Sequence, residues 1–166
     1  MAAPVKRPSK DEYYLGIADK ISERSTCLRR RFGAIIIKDD SPVSQGYNGA
    51  PRGVKDCLEE GYCFRKEKNI PSGERYELCR SVHAEDNAII NAARLGTSIL
   101  KGTMYIHGRD ADTGKSFPGK PCEMCKRKII NSGLEKIVFI DEKNTIVKMS
   151  VEELLKTTFK NFNTTD

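Results

Sequence analysis

Between residues 10 and 24 apolar side chains return every three or four positions. Tyr14, Leu15, Ile17, Ala18 and Ile21 fall on one face of a predicted helix, and Ser9 with Glu12 sets a capping box ahead of it. Residues 31–38 (RFGAIIIK) replace that period with a β-branched run, which predicts a strand. Asp39, Asp40, Ser41 and Pro42 supply the turn into a hairpin partner over 43–47. Residues 84–95 read as a helix stopped by Gly96, and 103–107 as a strand. Residues 122–132 read as a helix stopped by Gly133, and 136–140 as another strand. Ser150 with Glu153 repeats the capping box and opens a last helix. Strands alternating with helices predict a layered α/β domain.

Two stretches interrupt the alternation. Residues 48–80 hold Gly49, Pro51, Gly53, Gly61, Pro71 and Gly73 and show no period. A loop this long in a compact domain needs something to tie it down. Residues 108–120 (GRDADTGKSFPGK) read as a polar loop directly before a Pro-Cys pair.

Composition narrows the class. The chain has 166 residues, 38% hydrophobic and 31% charged, as expected of a single soluble domain with an adequate core. No apolar stretch approaches bilayer length, and the opening MAAPVKRPSK lacks the apolar centre of a secretory signal, so a cytoplasmic location is expected. Six cysteines in such a chain point to metal ligation or catalysis ahead of disulfides. The net charge of +6 serves solubility or attraction to phosphate, and does not by itself separate a mononucleotide from a polynucleotide partner.

Two short segments carry the chemistry: His83-Ala84-Glu85 and Pro121-Cys122-Glu123-Met124-Cys125, each at a predicted helix start. Cys122 and Cys125 are three apart, so a helix presents both sulfurs on one face, near its positive end. Pro121 suits such a start, where a missing amide costs nothing. His83 adds one nitrogen. Three protein ligands leave a fourth tetrahedral position open, the mark of a catalytic zinc site and not a closed structural one. Glu85, two residues from the ligand, is the expected proton shuttle. His-x-Glu followed by Pro-Cys-x-x-Cys is the signature of zinc-dependent nucleobase deaminases. A zinc-stabilised nucleotide-binding module without turnover would be expected to lack the shuttle, which is present.

These segments, together with SERSTCLRRRFGAIII, GYNGAPRG, SGERYELCRSVHAEDNAI and PCEMCKRKIINSGLEKIVF, resemble the cytidine and deoxycytidylate deaminase superfamily, in particular its bacterial-type deoxycytidylate deaminases, over roughly residues 10–141. The resemblance implies one zinc-dependent deaminase domain over 1–166, with its core at about 10–160. It implies a three-layer α/β/α sandwich around a mixed five-stranded sheet, assembled into homo-oligomers. It implies conversion of dCMP to dUMP, with dCTP and dTTP as effectors. By position, Asn48 would bond the sugar hydroxyl and the amide of Ala84 the pyrimidine carbonyl; otherwise Asn48 is a turn residue, since Asn-Gly is a strong turn signal. Arg24, Ser25, Thr26 and Arg52 are the nominees for the phosphate, with a solvated surface as their other role.

Asp86 and the 108–120 insertion depart from the family pattern, and leave room for a modified dCMP or a free (deoxy)cytidine as substrate. Asp86 would repel phosphate if it faced the pocket, unless it turns away or pairs with a nearby arginine. Cys27, Cys57, Cys63 and Cys79 flank or occupy the long irregular segment. As thiolates they would make a closed, structural zinc site tying that segment down, as related enzymes do; the alternative is burial as small apolar residues. An editing deaminase acting on RNA or single-stranded DNA would be served by the Arg29–Arg31 run. Such a partner wants aromatic platforms, and Trp is absent.

Overall fold

The computed structural model describes residues 6–158; the ends of the expected 1–166 domain lie outside them. Helix α1 (Lys10–Ser22) begins with the expected Ser9/Glu12 box, but stops short of residue 24. Ser22 folds its hydroxyl back onto the Asp19 carbonyl, and the amides of Glu23, Arg24 and Ser25 tighten to carbonyls three residues back. Strands β1 (Arg30–Lys38) and β2 (Ser41–Tyr47) form the expected hairpin. The irregular segment that follows holds two one-turn helices, α2 (Cys57–Glu60) and α3 (Phe64–Glu67), and a 3-10 turn at Tyr76–Leu78. A third capping box, Asp56 with Glu59, opens α2.

Helix α4 (Ala84–Leu95) ends at Gly96, whose φ of 65° is the left-handed closure that glycine adopts without strain. Strand β3 (Thr103–Asp110) runs three residues beyond the expected 103–107, because β1 pairs with it along its whole length. The expected loop at 108–120 is thereby shortened: β4 (Ser116–Phe117) folds back onto Gly108 and Arg109. Helix α5 (Glu123–Asn131) and strand β5 (Lys136–Ile140) follow as read, and β6 (Ile146–Ser150) leads directly into α6 (Val151–Thr158). The Ser150/Glu153 box is formed, whereas β6 escapes the periodicity as a short, half-buried run.

The sheet runs β2-β1-β3-β5-β6, five strands as implied, with β4 added to β3 beyond the end of β5. Only β3 and β5 are parallel. Alternation along β1 splits the core in two. Ile35 and Ile37 pack with Tyr14, Leu15 and Ala18 of α1, whereas Ala34 and Ile36 pack with Ala84 and Ala88 of α4, Ile129 of α5 and Leu154 of α6. The result is three layers, α/β/α. No helix among the described residues is long and apolar enough to cross a membrane.

Gly46 sets how closely α4 approaches. A Cβ there would lie 2.4 Å from the Ala88 amide and 2.5 Å from the Ala84 carbonyl. The start of α4 therefore seats directly on β2.

Candidate metal centre

Each of α4 and α5 leads into one of the two parallel strands, so both helices begin at the same edge of the sheet. His83 is the residue that caps α4, and Cys122 the one that caps α5. Cys125 follows one turn later and is fully buried. The structure brings the three together: His83 Nδ1 lies 3.3 Å from Cys125 Sγ and 3.4 Å from Cys122 Sγ, and all three donor atoms lie within 4.8 Å of one another. Zinc bonded to sulfur at about 2.3 Å and nitrogen at about 2.0 Å with tetrahedral angles would set N and S about 3.5 Å apart. The donor set fits the ion in type and spacing.

Electrostatics agree with that use. The Cys125 thiol beside it, then the His83 imidazole, hold Cys122 down at about 4, while sharing with Cys122 and burial push Cys125 up. One proton between two sulfurs is what a metal displaces on binding. Burial alone would lower the His83 imidazole, but Cys122 and Glu85 together outweigh it and raise it. Glu85 is buried, and burial lifts its carboxyl to about 7. A carboxyl poised there exchanges protons readily at neutral pH.

His83, Ala84, Glu85, Asn48 and Cys122 line one cavity of about 200 Å³. Ala84 is the first residue of α4, so its amide has no helical acceptor. Asn48 is buried and already engaged: its Oδ1 accepts from Ser25 Oγ (2.6 Å) and the Phe32 amide (2.7 Å), and Nδ2 donates to the Arg30 carbonyl (2.9 Å). One amide hydrogen remains. Its neighbour Gly49 bridges to Val82, just before His83.

None of the four phosphate nominees lines this cavity. Ser25 is buried behind Asn48 as its hydrogen-bond donor, and Thr26 keeps a buried hydroxyl without a partner. Arg24 is exposed, and Arg52 bonds Asn91 on the outer side of α4 (2.7 Å). The cations on the wall are Arg29, Arg30, Arg65, Arg80 and Lys120; of these only Arg29 and Arg30 stand out in the sequence, in the Arg29–Arg31 run. Arg30 pairs with Asp110 and Arg80 with Glu60. Arg29 and Lys120 have no carboxylate partner among the described residues.

Asp86 is turned off the cavity, onto Lys128 and to within 3.7 Å of Cys125 Sγ; its partner is a lysine and not an arginine. The 108–120 segment reaches the cavity through Phe117, Pro118 and Lys120. Phe117 meets Phe32 edge-on at 6.0 Å and carries the Arg30 guanidinium 4.4 Å from its centroid.

Cys27, Cys57, Cys63 and Cys79 line the same cavity as free thiols. Burial first, then the other three thiols around it, push Cys57 up to about 11. The four sulfurs do not close to the spacing of the His83 set.

Residues 8–141 match the family model described as the cytidine and deoxycytidylate deaminase zinc-binding region. The deoxycytidylate deaminase of Mycobacterium phage D29 is 34% identical over 143 residues, which span 83% of this chain and 99% of that protein. That of Schizosaccharomyces pombe is 33% identical over 135 residues, 80% of this chain. The match covers only 37% of the yeast protein, well under half its length. The dCMP deaminase of cyanophage S-TIM5, solved in complex with dCMP and dUMP, superposes with a TM-score of 0.59 at 25% identity, over 80% of this chain and 81% of that one.

Proposed function

The chain belongs to the cytidine and deoxycytidylate deaminase family, and from that premise we propose that it hydrolyses dCMP to dUMP and ammonia. The observation that carries this reading is the convergence of His83, Cys122 and Cys125 beside a buried Glu85, in a cavity with unpaired cations on its wall.

His83, Cys122 and Cys125 would hold zinc, which when bound supplies the Lewis acidity that makes water a nucleophile near neutral pH. Glu85 takes a proton from that water onto a carboxylate oxygen and delivers it to the ring nitrogen N3. The water oxygen bonds to C4 as N3 is protonated; Glu85 then carries the proton of that new hydroxyl to the exocyclic amine, the C4–N bond breaks, and ammonia leaves as the C4 carbonyl forms. The Ala84 amide donates to the pyrimidine carbonyl, and the remaining Nδ2 hydrogen of Asn48 donates to the sugar hydroxyl oxygen. Arg29 and Lys120, lacking carboxylates of their own, attract the phosphate.

Four sulfurs around one loop support a second zinc, held by Cys27, Cys57, Cys63 and Cys79 as the anchor of this region. The Arg29 amide already donates to Cys27 Sγ (3.5 Å). Metal analysis decides it: two zinc ions per chain are expected, and one refutes the site. Assembly into homo-oligomers, a cytoplasmic location and responses to dCTP and dTTP complete the reading; a flat titration with both nucleotides removes the effectors.

The direct test is a substrate panel of dCMP, 5-methyl-dCMP, deoxycytidine, dCTP and a cytosine-containing oligonucleotide. dCMP is expected to give the highest kcat/KM, and preference for the oligonucleotide overturns the assignment. Glu85→Gln is expected to lower turnover by at least about 10²-fold with zinc retained; retained turnover refutes the shuttle.

A further inference from the structure

Among the described residues no carboxylate or carbonyl hydrogen-bonds the His83 ring. Among the described residues its polar contacts are the two sulfurs, both through Nδ1. A metal-binding imidazole ordinarily gives its other N–H to such an acceptor, which fixes the tautomer and the ring direction. What faces His83 here is Tyr76. The ring centroids lie 4.8 Å apart and the planes cross at 86°, the edge-to-face arrangement that aromatic quadrupoles favour.

The Tyr76 carbonyl accepts from the Cys79 amide (2.9 Å), so the backbone of the turn is closed, but that bond leaves the ring free to turn. Tyr76 opens the 3-10 turn Tyr76–Leu78, and Arg75 before it takes a φ of 50°. Its ring is covered by Arg65, whose guanidinium lies 4.8 Å from the ring centroid. Arg65 is buried on α3 and has no carboxylate partner among the described residues. Its Nη2 donates to the carbonyls of Pro71 (2.9 Å) and Glu74, and its buried Nε finds no acceptor. A charge this buried is costly unless something compensates it, and the tyrosine face does so in part.

We infer that Arg65 and Tyr76 form a stacked support that sets the His83 ring, and that Tyr76 is a positioning residue for the metal ligand. This rests on the reading of His83 as a zinc ligand. The support also joins the segment carrying Cys63 and Cys79 to the metal centre, so order in one is felt in the other.

The test is zinc retention by the full chain under graded chelator. His83→Ala identifies the His83-dependent release step. Tyr76→Leu is expected to weaken that step by about 10–100-fold, as loss of an orienting partner does. Tyr76→Phe keeps the edge-to-face contact and is expected to stay within about threefold of the parent, because the ring and not the hydroxyl supplies the contact. Parent-like retention by Tyr76→Leu overturns the inference. If Tyr76→Leu does not fold, Arg65→Met reads the same step: loosened zinc supports the support role, and unchanged zinc overturns it. If His83→Ala itself releases no zinc, the assignment of the metal centre has failed, and not the role of Tyr76.

Discussion

Asp86 pairs with Lys128 across the gap between α4 and α5, the two helices that carry the metal ligands. The carboxylate is buried and its partner half exposed, so the pair locks the helices while one end stays in water. Removing the lysine strands a buried charge beside Cys125. Lys128→Met is expected to lower stability by about 2 kcal/mol, less than the 3–5 of a wholly buried pair because water screens one end. The double variant Asp86→Asn, Lys128→Met should recover part of that loss. Denaturant midpoints check both, and additive effects of the two single changes would refute the coupling.

His107 predicts the response to acid. Burial lowers its imidazole, and Asp19, 3.0 Å from Nδ1, fails to offset this because Arg109 already forks onto the same carboxylate. The folded state therefore resists a proton that the unfolded chain accepts. Stability is full above the unfolded value of 6.5 and falls as pH drops through and below it. The melting temperature should decline between pH 7.5 and 5.5, and His107→Gln should flatten part of the decline. An equally steep profile in the variant would dismiss His107 as the cause.

The contact at Gly46 predicts a backbone-borne defect. Gly46→Ala must displace the α4 backbone, since the new carbon meets main chain and not a movable side chain. Overpacking of this kind costs about 1–3 kcal/mol. Reduced zinc content should accompany the loss, because the displaced turn carries His83 and Glu85. A variant with parent stability and full zinc would contradict the tight seat.

Phe117 supplies the wall that the 108–120 insertion adds. Its truncation opens the cavity beside Phe32 and frees Arg30 from the ring. Phe117→Ala is expected to raise KM for dCMP by about tenfold with kcat nearly unchanged, the signature of lost uniform binding. Steady-state kinetics read the split, and an unaltered KM would remove Phe117 from the binding surface.

The metal ligands were legible because helix geometry imposes their spacing: Cys122 and Cys125 must be three apart, and His83 must sit where α4 starts. The two serine capping boxes were legible for the same reason, and Asp56-x-x-Glu59 carried the same pattern unread. β6 was not, being five residues with no fully buried position. Nor was the gathering of the cavity cations, although Arg29 and Arg30 stood out as part of a basic run. Arg29, Arg65 and Lys120 come from three separate segments, and only the tertiary path of 48–80 and 108–120 brings them to one wall. Ser25 shows the converse: a hydroxyl near the site in sequence is spent on holding Asn48.

Because β3 and β5 run side by side in one direction, the helices feeding them launch from a common ledge, and the reactive groups ride on those launch points. The enclosing surfaces come largely from other stretches of chain, 48–80 and 108–120. Substitutions on those surfaces should therefore bear first on which molecule the cavity admits, whereas substitutions along the ledge should bear first on the metal ligands and the proton carrier.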